Sequence, residues 1–281
     1  MGNYAYRQKW WGGEEMSWIE AILLGLVQGL TEFLPVSSSG HLTIAKELFG
    51  IETSNLSFEV MVHAATVCST IVAFRKEIWD LLCGLFNAKM NPQKEYILKI
   101  AVSMIPIFIV GVFFKDHVEA VFGGGLLVVG CMLLITAVLL TLSEYLSNKM
   151  NGEGHPVRFK DAIIIGLAQA CAVLPGLSRS GTTISTGLML GVKKEDVAQF
   201  SFLMVLVPIL GEAFLELVGG DFSGAASGIP VISMALGFVS AFLSGLFACT
   251  LMINIVKRAK LWLFAVYCVI AGLACIISTL L

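Results

Sequence analysis

Charged residues are scarce in this chain. Asp, Glu, Lys and Arg make up 14% of its 281 residues, while 57% are hydrophobic; an ordinary soluble domain carries about 25% charged residues. The deficit runs the whole length, which excludes a soluble globular fold and points to an integral membrane protein. A net charge of −2 with no basic block offers a nucleic acid nothing to hold. The seven cysteines, Cys68, Cys83, Cys131, Cys171, Cys249, Cys268 and Cys275, form no CxxC pair and no metal-ligand spacing. Scattered through apolar runs, they read as small buried thiols. Residues 1–15, MGNYAYRQKWWGGEE, lack the apolar centre of a signal peptide and are set aside as a leader outside the fold.

What the chain does have is apolar sequence in span-sized lengths. A crossing takes about 20 apolar residues, and six stretches fit: 57–74, 97–114, 120–143, 197–219, 230–256 and 261–281. Two other apolar regions, 17–50 and 158–192, are too long for one span, and Pro, Ser and Gly interrupt each at its centre. That is the pattern of a re-entrant helical hairpin, which enters the bilayer, turns at mid-depth and leaves on the same side. The two regions also match each other at an offset of 141. Ala21, Gly25, Leu26 and Gln28 fall on Ala162, Gly166, Leu167 and Gln169, and Gly50 falls on Gly191. Each region is followed by three spans; three is odd, so the second copy lies inverted relative to the first. The expected fold is one all-α membrane domain over 1–281, an inverted-topology repeat of six transmembrane helices plus two re-entrant hairpins meeting near the midplane. The first repeat takes 16–143 and the second 158–281.

Basic residues orient this layout. One face receives Arg75, Lys76, Lys89, Lys94, Lys99, Lys149, Arg158, Lys160, Lys193, Lys194, Lys257, Arg258 and Lys260; the other receives Arg7, Lys9, Lys46 and Lys115. The richer face is cytoplasmic by the positive-inside rule. Both termini then lie outside, the first hairpin dips in from outside, and the second rises from the cytoplasm.

The two tips, 31-TEFLPVSSSGH-41 and 178-SRSGTT-183, are where polar residues collect. An ionisable side chain at mid-membrane costs about 2.5–3.5 kcal/mol on insertion scales, so it marks function by default. Gln28 and Glu32 are i and i+4 and share a helical face. A carboxylate, an amide oxygen and a helix C-terminal end suit a hard divalent cation, Mg²⁺ or Ca²⁺. The next half-helix starts within 37-SSSGH-41 and runs to Gly50. Its start presents hydroxyls, free backbone N–H groups and a positive dipole end, an arrangement that binds phosphate. The second tip repeats the device and adds Arg179, whose planar fork matches phosphate oxygens. Ser37, Ser39, Gly40, Ser178, Ser180 and Thr183 are the substrate-binding candidates, and Glu32, Ser38, His41 and Arg179 the catalytic ones. Ser38 is the first candidate nucleophile, with His41 as base or leaving-group acid; attack by water, or by His41 itself, is the alternative. On the first full span, Glu59 and His63 are i and i+4 and read either as a polar pair or as cavity lining, and Glu212 and Glu216 repeat the ambiguity.

The stretch 28-QGLTEFLPVSSSGH-41 resembles the (E/Q)xxxE plus proline-serine-histidine motif of the bacterial undecaprenyl-diphosphate phosphatases, the bacitracin-resistance family, and 175-PGLSRSGTT-183 resembles that family's PGxSRSxxT motif. The resemblance extends over nearly the whole chain from Met16. It implies an integral enzyme of the bacterial plasma membrane that removes the terminal phosphate of undecaprenyl diphosphate, needs a divalent cation and opens its site outward. Its functional positions fall on Gln28, Glu32, Ser38, His41, Ser178, Arg179 and Thr183. The implied partners are a polyprenyl diphosphate and membrane lipid, and lipid-facing Gly and Ala permit a homodimer without requiring one. The alternative reading is a secondary transporter or polyprenyl-phosphate flippase, since inverted repeats with broken helices are built that way. A nucleophile, a base and an arginine at one site favour the enzyme.

Overall fold

The computed structural model describes residues 16–50, 56–122, 124–149, 154–219, 229–258 and 261–280. The leader 1–15 lies outside them, as do the side chains of Glu212 and Glu216. Among the described residues the regular structure is helical, apart from an isolated bridge between His155 and Val192.

The first broken region is a pair of short helices. Helix α1 (Trp18–Phe33) starts with a capping box: Ser17 Oγ accepts from Glu20 N at 3.2 Å and Glu20 Oε2 accepts from Ser17 N at 2.7 Å. It stops just before Pro35, whose ring and missing N–H end a helix. Helix α2 (Ser38–Phe49) begins two residues after the turn, capped by Ser37 Oγ accepting from Gly40 N at 3.3 Å, and closes on Gly50 at φ 63°. After it come α3 (Leu56–Ala73), α4 (Arg75–Leu85), which bends 79° away from α3, α5 (Pro92–Phe113), α6 (Lys115–Phe122) and α7 (Gly125–Lys149).

The second broken region repeats the plan. Helix α8 (Phe159–Cys171) has its first turn fastened by Asp161 Oδ2 accepting from Arg158 N at 2.8 Å. Helix α9 (Arg179–Met189) is capped by Ser178 Oγ accepting from Gly181 N at 3.1 Å, and Gly191 beyond it has φ 81°. Then follow α10 (Lys194–Gly219), α11 (Val231–Arg258) and α12 (Leu261–Leu280). Among the described residues four helices, α5, α7, α11 and α12, are each long and apolar enough to cross a membrane, and the bent pair of α3 and α4 would make a fifth span. The protein is an all-α integral membrane protein. The expected span at 120–143 is displaced: residues 115–122 form their own short helix, Gly125 at φ 59° separates it from the next, and α7 runs on to Lys149.

Packing crosses between the halves. α1 lies on α11, α8 lies on α5, and α7 lies on α12. Two glycines at equivalent places make the first two contacts close. A Cβ on Gly25 would sit 2.4 Å from the Gly237 carbonyl oxygen, and one on Gly166 would sit 2.4 Å from the Ser103 carbonyl oxygen. Helices in lipid associate through such close backbone approach, having no hydrophobic drive between them. Gly166→Ala is therefore expected to destabilise the protein by about 1–3 kcal/mol, read as a lower unfolding midpoint in detergent; an unchanged midpoint contradicts this packing.

The apolar core runs beneath both turns, from Phe33 and Val36 through Val129, Leu133 and Ile184 to Phe202. Large apolar side chains such as Phe108, Val138, Phe247 and Ile270 face outward, as a lipid-exposed surface requires. The cysteines divide in the same way. Cys249, Cys268 and Cys275 are buried as expected, whereas Cys83, Cys131 and Cys171 are exposed. Apolar helix faces that meet lipid look like core in sequence.

Candidate active site

Pro35 ends α1 so that the C-terminal end of one helix and the N-terminal end of the next face one point. The turn between them is tight. Ser37 has φ 70° and ψ 102°, and among the described residues it is the one non-glycine with positive φ. Strain of this kind persists where the surroundings over-determine it, and it clusters at functional sites. Here the surroundings are visible. Ser37 Oγ caps α2, and its carbonyl accepts from both His41 N at 3.1 Å and His41 Nδ1 at 2.8 Å.

This turn brings Ser38 back over the last turn of α1. Ser38 Oγ donates to Glu32 Oε2 at 2.5 Å, and Gln28 Nε2 donates to the same oxygen at 2.8 Å. The Glu32 side chain is 7% exposed, and His63 Nε2 from α3 stands 3.8 Å from that oxygen. A buried carboxylate is tolerable only with such partners.

The second tip closes over the first. Ser180 Oγ donates to the Leu34 carbonyl at 3.2 Å, and a Cβ on Gly40 would lie 3.1 Å from Gly176 Cα. Between the tips is a hollow of about 30 Å³ lined by Glu32, Ser37, Ser38, Ser39, Ser178, Arg179 and Ser180, with Ala172 and Leu177. Glu32 and Arg179 thus share one pocket, and the N-termini of α2 and α9 both open beside it. A guanidinium, two helix starts and a cluster of hydroxyls favour an anion, next to a carboxylate that accepts a hydrogen bond from Ser38.

The remaining expected residues stand around this centre. Gln28 is wholly buried behind Glu32, with its Oε1 lacking a hydrogen-bond partner among the described residues. Gly40 gives the tips their close approach. Thr183 Oγ1 donates to the Arg179 carbonyl at 3.0 Å and lines an adjoining hollow that Arg179 also lines. His41 does not bond to Ser38. Its Nδ1 is held by the Ser37 carbonyl, and its Nε2 lies 2.6 Å from the Tyr267 hydroxyl of α12, with the two rings stacked at 5.5 Å and 16°. Since Nδ1 faces a carbonyl it carries the hydrogen, and a neutral ring then accepts from the Tyr267 phenol at Nε2.

Two neighbours of the site lie outside the sequence-derived set. His63 reads in sequence as a partner of Glu59 or as cavity lining. In the structure its Nδ1 bonds to the Glu59 backbone carbonyl at 2.8 Å, while the Glu59 carboxylate pairs with Lys46, leaving Nε2 directed at Glu32. Tyr267 carries no signal at all: it is 226 residues from the histidine it meets.

For a divalent cation the donor set is sparse. No three His, Cys, Asp or Glu side chains gather as a metal group among the described residues. One carboxylate with a serine hydroxyl beside it fits a hard cation completed by substrate phosphates, as Mg²⁺ commonly binds, and does not make an all-protein cage.

The chain matches the family described as "Bacitracin resistance protein BacA" over residues 21–274. It is 59% identical over 270 residues to a protein named undecaprenyl-diphosphatase from Bacteroides thetaiotaomicron, covering 94% of this chain and 100% of that one. A protein of the same name from Parabacteroides distasonis is 59% identical over 271 residues, 95% of this chain and 100% of the relative. Another, from Christiangramia forsetii, is 48% identical over 265 residues, 93% of this chain and 98% of the relative. With the match spanning both tips and reaching into α12, this chain belongs to the Bacitracin resistance protein BacA family.

Proposed function

We propose that the protein hydrolyses undecaprenyl diphosphate to undecaprenyl phosphate and inorganic phosphate, recycling the lipid carrier of cell-wall synthesis and so conferring bacitracin resistance. The observation that carries this reading is the 2.5 Å bond from Ser38 Oγ to Glu32 inside a hollow shared with Arg179. The names of its relatives agree with it.

The terminal phosphate lies between the tips, held by Arg179 and by N–H groups at the starts of α2 and α9. Ser38 Oγ attacks its phosphorus while Glu32 takes the serine proton. The bond to the bridging oxygen breaks, and polyprenyl phosphate leaves without needing a proton. Arg179 stabilises the charge that spreads over the phosphoryl oxygens. His41 stands aside from Ser38, so the base is Glu32; His41 holds the Ser37 carbonyl and with it the strained turn that aims the serine. Glu32 and Ser38, together with the substrate phosphates, would hold Mg²⁺ or Ca²⁺, which would supply charge neutralisation; Gln28, the other expected ligand, stands behind Glu32 with its Oε1 without a hydrogen bond among the described residues. Water then releases the phosphate from Ser38.

In the membrane, the two broken units are re-entrant hairpins in an inverted repeat. Their matching caps, their crossed packing and the one-sided distribution of Lys and Arg support this. Both termini are outside, in the plasma membrane of a bacterium, and the site opens to the outer face.

Phosphate release from undecaprenyl diphosphate by purified protein in detergent tests the reading. Chelation is expected to abolish release, and added Mg²⁺ or Ca²⁺ to restore it. Ser38→Ala is expected to lose about 1,000-fold or more in kcat, with no phosphoenzyme trapped; near wild-type turnover in that variant eliminates the serine nucleophile.

A further inference from the structure

Many hydroxyls in the membrane helices of this protein return a hydrogen bond to their own backbone, and others, such as Ser233 and Ser240, reach a carbonyl of another segment. Thr31, Thr43, Ser69, Thr70, Thr141 and Thr186 each donate to the carbonyl four residues earlier. Among the described residues two buried Ser or Thr hydroxyls, Thr182 on α9 and Ser201 on α10, do neither, and of these Ser201 lines a hollow. It is 4% exposed, and its Oγ has no partner among the described residues. Buried polar groups are seldom left unpaired, and each exception calls for a ligand or a role.

Ser201 lines the adjoining hollow, about 20 Å³ in size. That is room for one water and too little for a phosphate or an isoprene unit. Phe33 and Phe202 form part of its apolar wall, while Glu32, Arg179 and Ser180 line both this hollow and the one that holds Ser38. The two spaces therefore meet at the carboxylate and the guanidinium. A water there has an acceptor in Glu32, a donor in Arg179 and a hydroxyl in Ser201, the two to four polar partners a buried water takes.

We propose that this second hollow is the seat of the hydrolytic water, and that Ser201 is its anchor. The inference rests on the phosphatase reading above and adds the source of the second nucleophile. The water oxygen forms a bond to the phosphorus of phospho-Ser38, and the bond from phosphorus to Ser38 Oγ breaks. Oγ takes back from Glu32 the proton it gave up in the first step, and both water hydrogens leave on inorganic phosphate. Ser201 is a positioning residue. It stays unchanged in the reaction, and its hydroxyl decides what occupies the hollow.

The test is product partition in the presence of methanol, with full-length protein, undecaprenyl diphosphate and Mg²⁺. Wild type is expected to give mainly inorganic phosphate. Ser201→Ala removes the anchor and enlarges the hollow by one hydroxyl, so the ratio of methyl phosphate to inorganic phosphate should rise several-fold. Its kcat should fall about tenfold to a hundredfold at nearly constant KM. Ser201→Thr keeps a hydroxyl and should return the ratio toward wild type. The ratio is measured per turnover, so the folded fraction of a variant does not enter it. A Ser201→Ala ratio equal to wild type, or a Ser201→Thr ratio as high as that of Ser201→Ala, overturns the proposal. Wild-type protein that releases no phosphate at all overturns the phosphatase reading itself, and this inference with it.

Discussion

Arg179→Ala should lower kcat/KM on undecaprenyl diphosphate by about 1,000- to 100,000-fold, the range over which a transition-state arginine acts in phosphoryl transfer. Arg179 is the first residue of α9, set by the Ser178 cap, and it lines both hollows around Glu32. Its removal leaves the phosphate with helix N-termini and hydroxyls alone. Each helix end is worth well under a full charge, too little to offset the charge of a diphosphate. Arg179→Lys restores a cation without the planar fork and should recover only part of the loss. Steady-state kinetics in detergent with a single purified lipid distinguishes these variants. Arg179→Ala with wild-type kcat/KM removes the guanidinium from the mechanism.

Glu32→Gln should cost about 100- to 10,000-fold in kcat, the usual worth of a positioned general base. The amide has nearly the carboxylate's shape, so α1, Pro35 and the turn keep their geometry. What changes is that Ser38 no longer donates to a group able to accept its proton. The same substitution removes the one carboxylate next to the serine, so the Mg²⁺ needed for half-maximal activity should rise. The two effects separate on titration: saturating Mg²⁺ recovers the binding loss and leaves the deficit in kcat. Full recovery of kcat at high Mg²⁺ makes Glu32 a metal ligand only, and some other group the base.

Local chemistry made the framework legible. Pro35 breaks α1, Ser37 and Ser178 cap the helices that follow the breaks, and Gly50 and Gly191 end them, each through interactions within a few residues. The meeting of Glu32 and Arg179 at one hollow was legible as well, because the internal match places both at equivalent breaks. Contacts made across the fold were not. Nothing near His41 announces Tyr267, and Glu59 and His63 satisfy the i, i+4 rule yet turn to Lys46 and Glu32 instead. Ser201 looks like any serine on an apolar helix until its missing backbone bond and the hollow beside it are seen together. The exposed cysteines show the same limit, since an apolar helix face reads alike whether it meets lipid or another helix.

The crossed packing has a consequence for synthesis. α1 emerges early from the ribosome, but the surface it leans on is α11, near the other end of the chain. Until α11 is inserted, the Gly25 and Gly29 face of α1 lacks the Gly237, Ala241 and Ser244 surface it packs against. The helix that carries Glu32 is thus among the last to find its packing partner. A chain cut after α7 should be handled by the cell as an unfinished membrane protein, whereas co-expression with the missing half should rescue it.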